Sequence, residues 1–337
     1  MAALSTTEDR QWLAIPEISA AGGARRVAVA LGEEAGLTPA GLGDLAIVAT
    51  EMATNLARHA VDGAMLVRLR RVADAAGVEL LAIDRGPGMP DVAESLRDGH
   101  STAGTLGIGL GAVARKASDV DLYSLPGTGT VLAATVWAGR NGGRPPPPAW
   151  VAGVSRPMAD ETVCGDAYAA REIEGRRQVL LCDGLGHGAL AAVAAQAARV
   201  EFITAPALGP LELLNHVHRR VRHTRGLVAG VAELDEDGVR FCGVGNVSAT
   251  IVDGDRRRAM VSLPGIVGQQ YREAREFAYP LGPGTLVVLH SDGLTDKWDL
   301  GDYPGLTGHA PVVIAATLLR DAAKRRDDAA ILVARAP

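Results

Sequence analysis

The chain has 337 residues, 47% of them hydrophobic, which is apolar material for more than one core and, at roughly 150 residues per domain, predicts two domains. Its net charge of −5 divides into −4 over residues 1–140 and −1 over the remainder, so neither half is a basic surface and nucleic acid is excluded as the expected partner. Cys164, Cys182 and Cys242 have no C-x-x-C spacing, which points to a reducing compartment and against structural zinc or a disulfide framework.

The opening residues MAALSTTEDRQWLAIPE carry charges where a secretory signal needs an apolar run, and no stretch reaches the ~20 apolar residues of a membrane span. A cytoplasmic protein without membrane attachment is expected. ISAAGGARRVAVALGEEAG predicts a first helix and TPAGLGDLAIVATEMATNLARHA a second, with Thr38 as N-cap and Pro39 in the first helical position. On that second helix Glu51, Asn55 and His59 recur every four residues as a polar stripe, beside an apolar stripe of Leu42, Leu45, Ala49, Met52, Ala53 and Leu56. An Asn at the edge of a buried face can complete a magnesium site that bridges phosphates, and a carboxylate one turn away can position or deprotonate a nucleophile. Taken alone, the stripe equally describes a solvated helix face.

AMLVRLRRVA and GVELLAIDRG follow as strands, the second ending at Asp84 ahead of Gly86 and Gly88. A strand-end carboxylate can accept a hydrogen bond from an adenine amine while glycines let the backbone close over the ring, and the same residues also fit a plain Pro-Gly turn. STAGTLGIGLGAVARKAS then places Gly104, Gly107, Gly109 and Gly111 before a helical run. A bare backbone at a helix N-terminus suits an anion such as a nucleotide phosphate, and by itself it also fits a solvated loop. DVDLYSLPGTGTVLAATVW reads as a hairpin turning at PGTG.

AGRNGGRPPPPAW, residues 138–150, is the clearest break, because four consecutive prolines favour an extended spacer. The expected division is a first domain over 1–140, a linker over 141–149 and a second domain over 150–337. Beyond the linker strand-like runs dominate (RQVLLCD, GLVAGVAEL, GVRFCGVG, SATIVDG, GTLVVLHSD, AAILVAR), with helical GALAAVAAQAARVEFIT, GPLELLNHVHRRVRH and HAPVVIAATLLRDAAK between them. Both halves therefore read as α+β: an α/β sandwich with helices on one face, then sheets enclosed by helices. In the second half acidic residues recur beside glycine at strand ends, as Gly165-Asp166, Asp183-Gly184 and Asp292-Gly293, with Asp327-Asp328 before the last strand. Any single pair fits a turn; four together suit all-oxygen ligation of Mg²⁺ or Mn²⁺.

In order and spacing, EMATNLARHA, DRGPGMPD and GTLGIGLGAV resemble the N box, first glycine box and ATP-lid glycine box of the GHKL ATPase family. The run from there to residue 138 is most similar to small serine kinases of the RsbT type, relatives of RsbW and SpoIIAB. The resemblance implies a Bergerat-type ATP-binding sandwich in which Asn55 binds Mg²⁺, Asp84 binds adenine and Glu51 is the catalytic base toward a protein serine. His59, Gly86, Gly88, Gly104, Gly107, Gly109, Gly111 and Thr130 would complete the ATP site. CGDAYAA, LLCDGLGHGALAA, GVGNVSATI, LHSDGLTDKW and DDAAILVAR resemble the metal-dependent Ser/Thr protein phosphatases of the SpoIIE class, with DGLGHG nearest to RsbX. That likeness implies metal ligation by Asp166, Asp183, the Gly184 carbonyl, Asp292 and either Asp327 or Asp328. His187 could orient phosphate or water, or simply be satisfied at a helix N-terminus. Arg156, the histidines His216, His218 and His223, and RRRAM at 256–260 receive no role. The fusion implies a chain that phosphorylates and dephosphorylates STAS-domain (anti-sigma antagonist-like) partners. The alternative is a phosphatase whose first domain only senses nucleotide or holds a partner, and a third reading is a scaffold without catalysis, against which the intact acidic positions argue.

Overall fold

The computed structural model describes residues 5–72, 75–92, 109–138, 149–254, 256–270, 273–324 and 326–337. Gly104, Gly107 and most of the expected linker lie outside the described residues. Two compact units emerge. One holds the described residues between Thr7 and Pro148 together with Tyr303–Arg320, and the other holds those up to Thr6, between Ala149 and Asp302, and from Asp321 to Pro337. A segment that follows the proline run in sequence is thus packed in the unit that precedes it.

The first unit contains helices α1 (Ala21–Glu34), α2 (Pro39–His59) and α3 (Gly109–Lys116) and strands β1 (Ser5–Ala14), β2 (Ala64–Val72), β3 (Ala75–Ile83), β4 (Asp119–Leu125) and β5 (Gly129–Trp137). The sheet runs β1-β2-β3-β5-β4, with β2, β3, β5 and β4 antiparallel to their neighbours. Helix α2 begins as its sequence dictates: Thr38 Oγ1 accepts from the Gly41 amide at 3.2 Å and Pro39 takes the first turn. Its apolar stripe, Leu45, Val48, Ala49, Met52, Ala53 and Leu56, packs with Met65, Val67 and Leu69 of β2, Val78, Leu80 and Ala82 of β3, and Leu132, Ala134 and Val136 of β5.

Strand alternation sends Leu66, Arg68, Glu79, Leu81, Val131, Ala133 and Thr135 to the opposite face, and all of these are buried as well. An antiparallel sheet commonly leaves one face to water, so burial of both is informative. The polar members satisfy one another across the strands. Arg68 and Arg70 both pair with Glu79, Thr135 Oγ1 donates to it at 3.3 Å, and Asp9 of β1 meets Arg68 at 3.2 Å. Burial alone would raise the Glu79 pKa, but the two guanidinium groups outweigh it and hold the carboxylate below its ordinary value. Tyr123 of β4 lies on this face, opposite Val131 in register, and packs edge-on against His309 of the Tyr303–Arg320 segment, with ring centroids 5.3 Å apart.

The second unit is a two-sheet sandwich. Its elements are β6 (Val151–Arg156), β7 (Asp166–Ile173), β8 (Arg176–Gly184), α4 (Ala189–Thr204), α5 (Pro210–Arg220), β9 (Leu227–Leu234), β10 (Val239–Val244), β11 (Ser248–Asp253), β12 (Arg256–Ala259), β13 (Ser262–Leu263), β14 (Phe277–Tyr279), β15 (Leu286–His290) and β16 (Ala329–Arg335); α6 (Pro311–Ala322) lies between the last two strands in sequence. One sheet runs β13-β10-β9-β8-β7 with β14 beside β10, and the other runs β12-β11-β15-β16-β6. Val179 and Leu181 of β8 face Ile251, Val287, Leu289 and Leu332 in the core between the sheets. Their alternates Leu180 and Cys182 face Ala194, Ala198, Phe202 and Leu213 on α4 and α5. All three cysteines are free thiols. No helix among the described residues is long and apolar enough to cross a membrane.

Candidate functional sites

In the first unit the predicted polar stripe stands at the rim of the buried face. Glu51 and Asn55 are half-buried, His59 is exposed, and the apolar stripe beside them is sealed in the core. The start of α3 comes down onto the stripe: a Cβ at Gly109 would lie 3.2 Å from Glu51 Oε2 and 3.4 Å from Asn55 Oδ1. The glycine-rich segment and the stripe, 50 or more residues apart in sequence, therefore meet at one place.

Asp84 ends β3 close by. Its Oδ1 accepts from the Gly86 amide at 2.6 Å, and its own amide donates to the Thr130 carbonyl at 3.0 Å. Burial pushes its pKa up, opposed by the Gly86 amide, by the charge of Arg320 and by the Thr130 contact. Gly129 has φ +118 and its missing Cβ would stand 2.1 Å from the Asp84 carbonyl, so only glycine lets β5 approach so closely. The Thr130 hydroxyl is 2.9 Å from Ser124 Oγ, which in turn accepts from the Met89 amide at 2.8 Å. Asp84, Gly86 and Thr130, expected together from the sequence, are thus held in one hydrogen-bonded patch, and Gly88, at φ +68, lies close to the Leu125 carbonyl, where an added Cβ would stand 2.3 Å away. Ser124, Gly129 and Arg320 also shape this patch and were not among the sequence expectations; the glycine-threonine alternation of PGTGT was the available signal for Gly129.

In the second unit the strand-end acids converge. Asp166 and Asp183 face each other in the β7–β8 register and share a hydrogen bond. Burial first, then repulsion from Asp328 and Asp292, raises Asp166 to about 7. Burial first, then the charges of Asp166, Asp292 and Asp327, raises Asp183 to about 9. Asp327 is also raised, by burial and by Asp292. Asp292 Oδ2 accepts from Asn246 Nδ2 at 2.6 Å, and Lys324 Nζ donates to the Asp292 carbonyl. The two neighbouring acids at the last position differ. Asp328 is 3% exposed and accepts from the Met158 amide at 2.7 Å and the Gly165 amide at 2.8 Å, one on each oxygen, whereas Asp327 is half-exposed beside Asp292. A Cβ at Gly293 would sit 1.8 Å from the Asp328 carbonyl, which explains glycine after Asp292. The Gly184 amide donates to the Gly165 carbonyl at 3.0 Å, fixing the turn that follows Asp183. His187 is exposed and its Nδ1 is 2.9 Å from Glu161 Oε1.

Among the described residues no three acid, imidazole or thiol groups already enclose a single point as a metal site does. The donor set nonetheless fits hard cations. Asp166 Oδ2 is buried with no hydrogen-bond partner, and the neighbouring carboxylates raise one another's pKa because positive charge is lacking between them.

A helix-covered antiparallel sheet with a Glu-Asn stripe, and a double sheet with carboxylates at its rim, define an ATPase-type domain and a phosphatase-type domain. Residues 16–136 match the histidine kinase-like ATPase domain family and residues 173–337 match the Stage II sporulation protein E (SpoIIE) family. The serine/threonine-protein kinase RsbT of Bacillus subtilis (strain 168) is 38% identical over 90 residues, 26% of this chain and 66% of RsbT, so the chain spans a little under two thirds of that curated relative. A chain solved in work on the bacterial stressosome, a modular system adapted to control secondary messenger signaling, is 28% identical with a TM-score of 0.51, over 55% of this chain and 98% of its own length. RsbX in complex with magnesium is 16% identical with a TM-score of 0.47, over 55% and 94%.

Proposed function

We propose that the chain is a cytoplasmic bifunctional signalling enzyme that phosphorylates and dephosphorylates serine or threonine on STAS-domain regulators. The observation that carries this reading is a buried Asp166 oxygen without a hydrogen-bond partner beside Asp183, which also feels the charges of Asp292 and Asp327, in a chain that also brings Glu51, Asn55 and Gly109 together.

In the kinase direction Asp84 accepts from the adenine amine, Gly86, Gly88 and Thr130 line the ring, and Asn55 would hold Mg²⁺ between the phosphates. Glu51 removes the proton of the attacking serine hydroxyl as its oxygen takes the γ-phosphoryl group, leaving ADP. Gly109 and Gly111, at the start of α3, would lie over the phosphates. In the phosphatase direction Asp166, Asp183, the Gly184 carbonyl, Asp292 and Asp327 would hold Mg²⁺ or Mn²⁺, which when bound lower the pKa of water and neutralise phosphoryl oxygens. Asp328 has both oxygens occupied by backbone amides, so we assign it the anchoring of the Met158 and Gly165 backbone and give the ligand role to Asp327.

The test is incubation of the protein with γ-labelled ATP, Mg²⁺ and a panel of purified STAS domains, followed by excess unlabelled ATP and Mn²⁺. Label that enters a STAS domain and is later released as inorganic phosphate supports both activities. Failure of any STAS domain to gain or lose label would overturn the proposal.

A further inference from the structure

Arg320 is the one basic side chain in the last turn of α6, yet it is only 2% exposed. It lies in the Tyr303–Arg320 segment, which falls within the SpoIIE match in sequence and within the ATPase-type unit in space. Its Nη1 donates to the backbone carbonyl of Asp84 at 3.1 Å, and the contact is returned, because Arg85 Nη2 donates to the carbonyl of Arg320. At the other end of the segment Asp121 of β4 accepts from the His309 ring at 2.6 Å and from the Ala310 amide at 2.7 Å. The segment is therefore pinned at both ends to the sheet that carries the nucleotide patch.

We infer that Arg320 is a positioning residue for the adenine subsite, holding the Asp84 peptide so that its carboxylate faces the base; this rests on reading Asp84 as the adenine contact. The geometry explains why an arginine is retained in a buried helix end. A guanidinium offers several donors in a fixed plane, so one can grip the Asp84 carbonyl while its charge favours the ionised, hydrogen-bond-accepting form of a carboxylate that burial otherwise pushes toward neutrality. From β5, Gly129 packs against the same carbonyl and the Thr130 carbonyl accepts from the Asp84 amide, so Asp84 is held on both its backbone groups. Asp84 contributes base selectivity, whereas Asn55 and the α3 glycines serve the phosphates. Loss of Arg320 should therefore act on the base and spare the phosphates.

The experiment compares ADP with IDP, which lacks the exocyclic amine, by calorimetric titration of the full-length chain with Mg²⁺ present. Wild type is expected to favour ADP by at least tenfold, the size of a lost hydrogen bond to a charged acceptor. Asp84→Asn removes the preference. Arg320→Ala should reduce it to within about twofold of unity while leaving IDP affinity within about threefold of wild type, and Arg320→Lys should recover part of it. A loosened fold would instead weaken both nucleotides equally. Should Arg320→Ala fail to fold, exposed Arg85 carries the test, with Arg85→Ala expected to cut the preference about threefold. An unchanged ADP preference in Arg320→Ala or Arg85→Ala, with Asp84→Asn having lost it, overturns the positioning role and leaves the adenine site standing. A preference that survives Asp84→Asn overturns the adenine reading itself, and the inference with it.

Discussion

Metal binding by the acids of the second unit, as proposed above, should compete with protons, because Asp166 and Asp183 are both raised above the ordinary carboxylate range. Burial and the neighbouring charges push Asp166 up to about 7 and Asp183 up to about 9, so at pH 7 the two carboxyls still hold protons between them. These must leave before the two carboxylates serve a divalent cation. The pair loses these protons as pH rises, so the logarithm of Mn²⁺ affinity should climb with pH through this range and then flatten. The assay is calorimetric titration of the chelator-stripped chain with Mn²⁺ in buffers of different ionisation enthalpy, which reads proton release independently of affinity. Asp183→Asn should cut the release at pH 7, since the carboxyl that holds its proton more tightly is removed. Affinity that is flat from pH 6 to 9, with no proton release in any buffer, would refute the reading of these acids as a cation-deficient cluster.

Four further outcomes follow from the same structure. Glu51→Gln should keep nucleotide affinity within about threefold and lose phosphotransfer by at least a hundredfold, whereas Asn55→Ala should lose both, as titration and label transfer would record. Asp292→Asn should abolish Mn²⁺-dependent phosphate release and weaken Mn²⁺ binding while nucleotide affinity is unchanged; wild-type turnover in that variant would remove Asp292 from the site. Gly293→Ala should cost about 3 kcal/mol or prevent folding, because its Cβ would stand 1.8 Å from the Asp328 carbonyl, while Gly308→Ala, with open space around it, should leave the denaturation midpoint nearly unchanged. Glu79→Gln should destabilise the chain by about 3–5 kcal/mol at pH 7 by leaving Arg68 and Arg70 unneutralised. Because the folded Glu79 pKa is depressed, its contribution is present above pH ~4.5 and fades as pH falls further, so the gap between variant and wild type in chemical denaturation should narrow in acid.

Residues whose placement depends on local periodicity were legible before any coordinates. The four-residue recurrence of Glu51, Asn55 and His59 against a buried stripe, and the acid-glycine pairs at the ends of apolar strands, each encode their placement within one turn or one strand. The choice between Asp327 and Asp328 was not legible, because adjacent residues of one type differ only in which of them meets the Met158 and Gly165 amides. Arg320 was beyond reach for another reason: the peptide it grips is 236 positions away. One signal for its setting was present in the sequence. PVVIAATLLR is apolar on nearly every side, and each residue from 311 to 320 is buried, as expected of a helix packed all round rather than one with a solvent face.

The Tyr303–Arg320 segment also sets the order in which the chain can mature during synthesis. The sheet of the first unit is translated by Trp137, but the residues that complete that unit arrive only with Arg320, after nearly the whole second unit has emerged. At a translation rate of about 5–20 residues per second, this delay lasts about 10–40 s. During that interval Leu66, Leu81, Val131 and Ala133 belong to an unfinished body, and the nucleotide patch around Asp84 lacks its arginine. A ribosome that stalls within the second half would leave the first unit without the segment that Arg320 ends, so on the role inferred above for Arg320 the Asp84 patch is completed only when nearly all of these residues have been made.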